Sequence, residues 1–246
     1  LVKSDNQKKY MDIEKLKIKR THDEFYLKQK PVIKESFKFL LKEIISNQKK
    51  FESLIDIGCS NGSFLKYAST ILKNKNLYGA DIRKDLIKYA KKINPSLKFL
   101  QIDITNKDRL GGKKYDVCIL DGVHSIFDNH LLWLNNLMSL CNKNGSIYIF
   151  GEFNPEPFDV FVKVKHTNSK ILESGYNRLS LETLKNSMLK KNFTFKAKKF
   201  DINIDIAKDK SDPLRTYTVN LKNGKRLTIN GIEQVNSPYL IIGNKK

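Results

Sequence analysis

Cysteine is scarce and poorly placed for bridging: the 246-residue chain has three, Cys59, Cys118 and Cys141, an odd number with wide gaps. Neither a disulfide framework nor a CxxC metal pair can be drawn from them, so they read as reduced, mostly buried thiols, and no metal site is expected. Long apolar runs are missing too. No window approaches the ~18 consecutive apolar residues that a membrane-crossing helix needs. The opening segment LVKSDNQKKYMDIEK holds no apolar stretch of a secretory signal, so the expected location is the cytoplasm. With 6 Pro and 12 Gly the composition is far from fibrous or linker-like chains. Arginine is rarest among the charged residues, 6 against 40 Lys. The planar guanidinium carries most specific base and phosphate recognition. The net charge of +20 therefore reads mainly as a solvated lysine surface.

What is present is ordered along the chain. Residues 1–50 carry 14 basic and 7 acidic side chains, 51–160 carry 14 and 12, and 161–246 carry 18 and 7. A nearly neutral middle between two basic ends is what a basic rim receiving an anionic substrate would produce. The length suits one domain with elaborated ends. The expected organisation is an N-terminal cap or mobile segment over 1–30, followed by a single domain over 31–246. Within it, 50–152 form a cofactor half, and 153–246 supply a substrate-side insert and C-terminal strands.

Periodicity gives the fold class. From Pro31, apolar residues Val32, Ile33, Phe37, Leu40, Leu41, Ile44 and Ile45 recur at helical spacing up to about Asn47. Short apolar strands then alternate with helices: 54–57, 77–81, 99–102, 115–121 and 146–150 as strands, with helical faces over 64–72, 86–93 and 131–141 between most of them. Such alternation implies parallel pairing through crossovers and a sheet covered on both faces, a doubly wound α/β fold. The reading is a mostly parallel, seven-stranded, Rossmann-like sheet with an N-terminal helical cap and a strand-rich C-terminal elaboration. In the tail, Ser180 caps a helix through Leu189, 193–200 and 239–242 read as strands, and Asn223-Gly224 predicts a type I′ hairpin turn between 216–221 and 226–229.

Four strands carry an acid at or near their carboxyl ends: Asp56, Asp81, Asp103 and Asp121. In an open parallel sheet those ends form the edge where ligands bind, so the four carboxylates should line one crevice. The turn after the first of these strands, LIDIGCSNGSF, lacks the G-x-G-x-x-G dinucleotide fingerprint, since Ser60 and Ser63 stand where glycines are required. Asp56 with Gly58 and Gly62 suits an amino-acid moiety instead, an acid near an ammonium and glycines leaving room for the chain.

Over residues 50–152 the sequence resembles the class I S-adenosylmethionine-dependent methyltransferases. The resemblance is carried by Asp56-Ile57-Gly58-Cys59-Ser60-Asn61-Gly62, Asp81, Gln101-Ile102-Asp103-Ile104 and Tyr115–Asp121. It implies S-adenosylmethionine as cofactor. Gly58, Cys59 and Gly62 would border its methionine part, with Asp56 near the ammonium. Asp81 would receive the ribose hydroxyls, Ile82 and Ile104 would pack beside adenine, Asp103 would hold the adenine amino group, and the strand ending at Asp121 would lie beneath the sulfonium. Ser60 departs from the glycine often found at its position.

Methyl transfer to an alcohol needs the nucleophile held in line and its proton removed. His124, just past Asp121, is the candidate general base; the other fate open to it is to bind a backbone group after the strand. Glu152, Asn154, Tyr176 and Arg178 are candidate substrate contacts, and Tyr26 could close over the cofactor. His166, in the substrate-side insert, could be a second base or simply exposed, and His22 and His130 have no motif around them. The segments FNPEPFDVFVKVK, ESGYNRLSLETLKNSMLKK and TYTVNLKNGKRLTING resemble the C-terminal part of bacterial methyltransferases of surface-polysaccharide (capsule) biosynthesis. That resemblance implies O-methylation of a small anionic carbohydrate or phosphate-bearing, phosphoramidate-type intermediate. The alternatives are an RNA methyltransferase, weakened by the absence of an RNA-binding module, or a SAM-binding protein without turnover.

Overall fold

A computed structural model describes residues 16–20, 24–27 and 31–246. The chain opens with strand β1 (Lys17–Arg20) and a 3-10 turn over Glu24–Leu27, then runs through α1 (Glu35–Asn47), β2 (Ser53–Ile57), α2 (Ser63–Ile71), β3 (Asn76–Asp81), α3 (Lys84–Ile93) and β4 (Lys98–Gln101). It continues through β5 (Tyr115–Asp121), α4 (His130–Leu140), β6 (Cys141–Glu152), β7 (Lys163–Val164), β8 (Ile171–Ser174), α5 (Leu181–Leu189) and β9 (Lys196–Lys199). A hairpin of β10 (Tyr217–Asn220) and β11 (Arg226–Ile229) precedes the last strand, β12 (Pro238–Asn244).

Seven strands form the central sheet in the order β4-β3-β2-β5-β6-β12-β9. The first five are mutually parallel, and β12 runs antiparallel to both β6 and β9. Because successive strand residues point to opposite faces, each central strand feeds two cores. Ile55, Ile57, Cys118, Leu120, Ile147 and Ile149 pack with Trp133, Leu134 and Leu137 of α4 and Leu184 and Met188 of α5. Leu54, Val117, Ile119 and Tyr148 pack on the other face with Leu40, Leu41 and Ile44 of α1, Phe64, Leu65 and Ala68 of α2, and Ile87 and Ala90 of α3. A strand buried on both faces has to be apolar throughout, which is why these read as short unbroken apolar runs.

Three expectations change. α1 begins at Glu35, not at Pro31: Lys34 is extended (φ −91°, ψ 152°) and Val32 and Ile33 are each 54% exposed. The described part of the N-terminal cap is a strand and one 3-10 turn instead of a helix, because Lys17–Arg20 pairs in parallel register with Ile171–Ser174 of β8; residues 1–15 lie outside the described residues. The Asn223-Gly224 hairpin is present, but Leu221 N–H donates to Lys225 O at 2.7 Å, which leaves a three-residue loop, not a two-residue type I′ turn. Among the described residues no helix is long and apolar enough to cross a membrane.

Candidate functional site

The strand order reverses between β2 and β5: from β2 the chain steps outward to β3 and β4, then crosses back to β5 and β6. Where the crossovers diverge, the carboxyl ends of the strands leave a crevice uncovered. A cleft of about 380 Å³ lies there, a size within the usual range for a small-molecule site. The sequence brings to it Asp56, Gly58, Cys59, Asp81, Ile82, Asp103, Ile104 and Asp121, eight of the nine residues expected around a cofactor.

The ninth, Gly62, caps the N-terminus of α2 instead of lining the cleft. Its φ is +77°, and a Cβ there would come 2.7 Å from Phe99 Cζ. Gly58 (φ +75°) donates its N–H to Ala80 O at 2.7 Å, and an added Cβ would sit 2.3 Å from Val123 Cγ2. Both glycines are fixed by close approach as well as by backbone conformation. Ser60, between them, also has positive φ (51°), the conformation that favours glycine, and its buried Oγ has no hydrogen-bond partner among the described residues.

Hydrogen bonds order the acids. Asp81, 8% exposed, accepts the Ser60 N–H at 3.1 Å and the Arg83 N–H at 2.9 Å, so the end of β3 and the glycine turn are one unit. Asp103 accepts from the Thr105 N–H (2.9 Å) and hydroxyl (2.7 Å), closing a turn that presents Ile104 as buried wall. Ile82, 41% exposed, offers an open apolar face in the cleft. Burial, then the charges of Asp121 and Asp81, push the Asp56 carboxyl well above its ordinary range. Burial likewise raises Asp121 to about 6, against the opposing pull of the Lys34 ammonium. Among the described residues no group of three or more His, Cys, Asp or Glu side chains is arranged to hold a metal ion.

The structure does not bring His124 to the cleft. Its ring is 1% exposed and stacked on Phe153 (centroids 4.2 Å apart, planes at 19°), and its Nε2–H donates to Glu152 O at 2.9 Å. Gly151 makes room for it, since a Cβ there would fall 2.2 Å from His124 Cε1. Burial lowers the imidazole to about 4, so it is neutral near pH 7. This is the backbone-binding fate of a histidine after a strand.

Of the four substrate candidates, only Tyr176 lines the cleft. Glu152 accepts the Ser237 N–H at 2.5 Å and lies 3.8 Å from Arg178, whose Nη1 donates to Val235 O at 2.8 Å. Asn154 folds its own loop, donating to Phe158 O at 2.8 Å and accepting from the Glu156 N–H at 3.1 Å. Glu152 and Arg178 lock the tail onto the end of β6. His130 meets Ser187 at 3.1 Å, His166 is exposed, and His22 lies outside the described residues.

Other residues in and around the cleft escaped the sequence reading. Arg20 and Lys34 of the N-terminal segment line it together with Tyr26. The Lys34 amine donates to the Tyr26 hydroxyl at 2.6 Å, and the Asn61 amide of the glycine turn donates to Tyr26 O at 3.4 Å. Ser125 and Phe127 complete the side beyond β5. That side is anchored by Asn177, 1% exposed: its Nδ2 donates to Phe127 O (3.2 Å) and Asp128 Oδ1 (2.8 Å), its Oδ1 accepts the Val162 N–H (2.8 Å), and its N–H donates to Ser125 O (3.0 Å). No periodicity marks a lone Asn in a loop.

Comparison with known proteins agrees with this geometry. YcgJ from Bacillus subtilis superposes with a TM-score of 0.59 over 85% of this chain and 99% of its own, at 12% identity. The magnesium protoporphyrin IX methyltransferase of Synechocystis PCC 6803, solved with SAM bound, gives 0.51 over 86% and 79% at 11% identity. The 1,6-didemethyltoxoflavin-N1-methyltransferase of Burkholderia thailandensis, solved with its substrate and S-adenosylhomocysteine, gives 0.52 over 86% and 79% at 12% identity. At such identities the likeness is one of fold. In sequence, 77 residues are 38% identical to 235L of Invertebrate iridescent virus 6, whose methyltransferase name is provisional; they span 31% of this chain and 27% of that protein. Residues 31–209 match the FtsJ-like methyltransferases, and by that match over most of its length the chain belongs to the FtsJ-like methyltransferase family.

Proposed function

We propose that the cleft binds S-adenosylmethionine and that the protein transfers its methyl group to an oxygen of a small acceptor. When bound, that cofactor supplies a methyl group on a sulfonium sulfur, already activated for displacement. The residues present fit it. Asp81, held by two backbone N–H groups, is an acceptor for paired ribose hydroxyls. Ile82 and Ile104 offer apolar surfaces for a flat base, with Asp103 beside them to accept from an exocyclic amine. Gly58 lines the cleft with backbone alone, and the acids Asp56 and Asp121 compensate a cationic ligand.

Asp121 is the proton acceptor in this reading, in place of His124. It ends β5, lines the cleft and titrates near 6, which suits a base working at neutral pH. The remaining work is positional: the turn 122–127, fastened by Asn177, and Tyr176 hold the acceptor in line. The small-acceptor reading rests on the modest volume of the cleft, and the tail's resemblance to surface-polysaccharide methyltransferases narrows it to a carbohydrate or phosphate-bearing intermediate. The observation that carries the proposal is the convergence of the glycine turn, Asp81, Asp103 and Asp121 on one cleft at the strand-order reversal.

The test is incorporation of labelled methyl from S-adenosylmethionine into separated polar-metabolite and RNA fractions of a bacterial extract. Label in the small-molecule fraction, lost with Asp121→Asn, is the expected result. Label confined to RNA, or undiminished in the variant, contradicts it.

A further inference from the structure

We propose that Arg20 determines acceptor specificity: its guanidinium binds an oxyanion, phosphate or carboxylate, carried by the acceptor. This rests on the reading of the cleft as a methyl-donor site.

Charge in the cleft is divided by origin. The acids Asp56, Asp81, Asp103 and Asp121 all come from the edge of the sheet, and the lining cations are Arg20, Lys34 and Arg83. Two of those cations are engaged: Arg83 is forked onto Asp85 (Nε 3.0 Å, Nη2 2.5 Å), and Lys34 donates to Tyr26. Arg20 differs. Its guanidinium lies 4.7 Å over the centroid of Phe127, and among the described residues no acid pairs with it. Stacking occupies the flat face of the group and leaves the N–H edge, the part that matches an oxyanion in a two-pronged fashion, for a ligand.

The position is built and not incidental. Arg20 sits opposite Ser174 in the β1–β8 pairing, next to Gly175 and Tyr176, which line the same cleft. Phe127 beneath it is 5% exposed and fixed from both sides, its N–H donating to His124 O (3.2 Å) and its carbonyl accepting from Asn177. An arginine held in this way loses little side-chain freedom on binding. A cationic donor is drawn to the acids of the sheet edge, and an anionic group avoids them, so Arg20 marks where the acceptor's charge belongs. Arg178, the arginine that the sequence suggested for this task, is tied to Glu152 and Val235 outside the cleft.

The experiment uses the full chain saturated with S-adenosylhomocysteine, titrated by calorimetry with pyrophosphate, malonate and neutral methyl α-glucoside, for wild type, R20Q, R20K and K143Q. Lys143 is an exposed residue in β6 remote from the cleft lining. At least one oxyanion is expected to bind wild type and K143Q equally, to weaken tenfold or more in R20Q and by a smaller factor in R20K, while S-adenosylhomocysteine affinity stays within twofold and the glucoside shows no Arg20 dependence. Preference for pyrophosphate assigns a phosphate-bearing acceptor, and preference for malonate a carboxylate. Absence of oxyanion binding, or binding unchanged in R20Q, overturns the inference while leaving the donor site standing. Failure of folded wild type to take up S-adenosylhomocysteine removes the reading beneath it.

Discussion

Gly58 and Val123 are in such close approach that a single methyl group on the glycine would come 2.3 Å from Val123 Cγ2. The contact joins the turn after β2 to the turn after β5, the two walls of the reversal point. Gly58→Ala therefore meets both a clash and a positive φ of 75°, the latter alone costing roughly 1–2 kcal/mol. The expected outcome is loss of S-adenosylhomocysteine affinity by about two orders of magnitude at most modest loss of global stability. Adding Val123→Ala removes the clash but not the backbone strain, so the double variant should recover part of the affinity. Two strictly additive losses in calorimetry would show that the contact is not what matters.

His124 should act as a structural element. His124→Ala opens a void against Phe153 and leaves Glu152 O without its donor, for a destabilisation of about 2–4 kcal/mol. Since its folded pKa is depressed to about 4, the neutral form is favoured by folding. The stability this contributes is complete above the unfolded value near 6.5 and is lost as pH falls from there toward 4. His124→Gln, which keeps a donor for Glu152 O but cannot titrate, should show a flatter acid limb in thermal melts and retain turnover within a few-fold. A thousandfold drop in turnover for the Gln variant would restore histidine as the base.

Asp121 has the opposite sign. Its folded pKa of about 6 lies above the ordinary carboxylate value of 3.8, so the folded state holds the proton more tightly. Stability is greatest below 3.8 and declines as pH rises through 6. Asp121→Asn should therefore stabilise the protein at pH 7.5, by about 1–3 kcal/mol, with no difference at pH 4, while lowering turnover by about two to three orders of magnitude. In wild type, turnover should climb with pH up to about 6 and level off above it. Melts and pH–rate profiles of the two proteins check both halves.

Asn177→Ala removes the three side-chain hydrogen bonds to Phe127 O, Asp128 Oδ1 and the Val162 N–H at a site 1% exposed, keeps the backbone bond to Ser125 O, and leaves the Val162 N–H and Phe127 O short of partners. A loss of about 2–3 kcal/mol is expected. Because the turn 122–127 loses its anchor, acceptor KM should rise while S-adenosylhomocysteine affinity is kept. An equal loss of both would place Asn177 in the general framework.

The sheet was legible because its strands are buried on both faces and so must be apolar runs, and the acids at their ends fall where the parallel topology puts every carboxyl end on one edge. Asp81 and Asp103 could be placed from that pattern alone. His124 could not: position beside Asp121 suggests chemistry, but whether a ring turns into the cleft or under it depends on Gly151 and Phe153, some thirty residues away in sequence. Glu152 follows a strand at the same edge and Arg178 lies in the irregular insert, positions that suggest substrate contact, but their partners Ser237 and Val235 come from the far end of the chain. Arg20 and Asn177 went unseen because a strand of four residues and a loop amide leave no periodic trace.

Isothermal titration of the purified, folded chain with S-adenosylhomocysteine, alongside Asp81→Ala, bears most directly on whether this cleft holds the methyl donor. The account expects one site per chain, with affinity reduced at least tenfold when Asp81 can no longer receive the ribose hydroxyls or hold the Ser60 and Arg83 amides. No heat from the folded wild type, or equal binding by the variant, would contradict it.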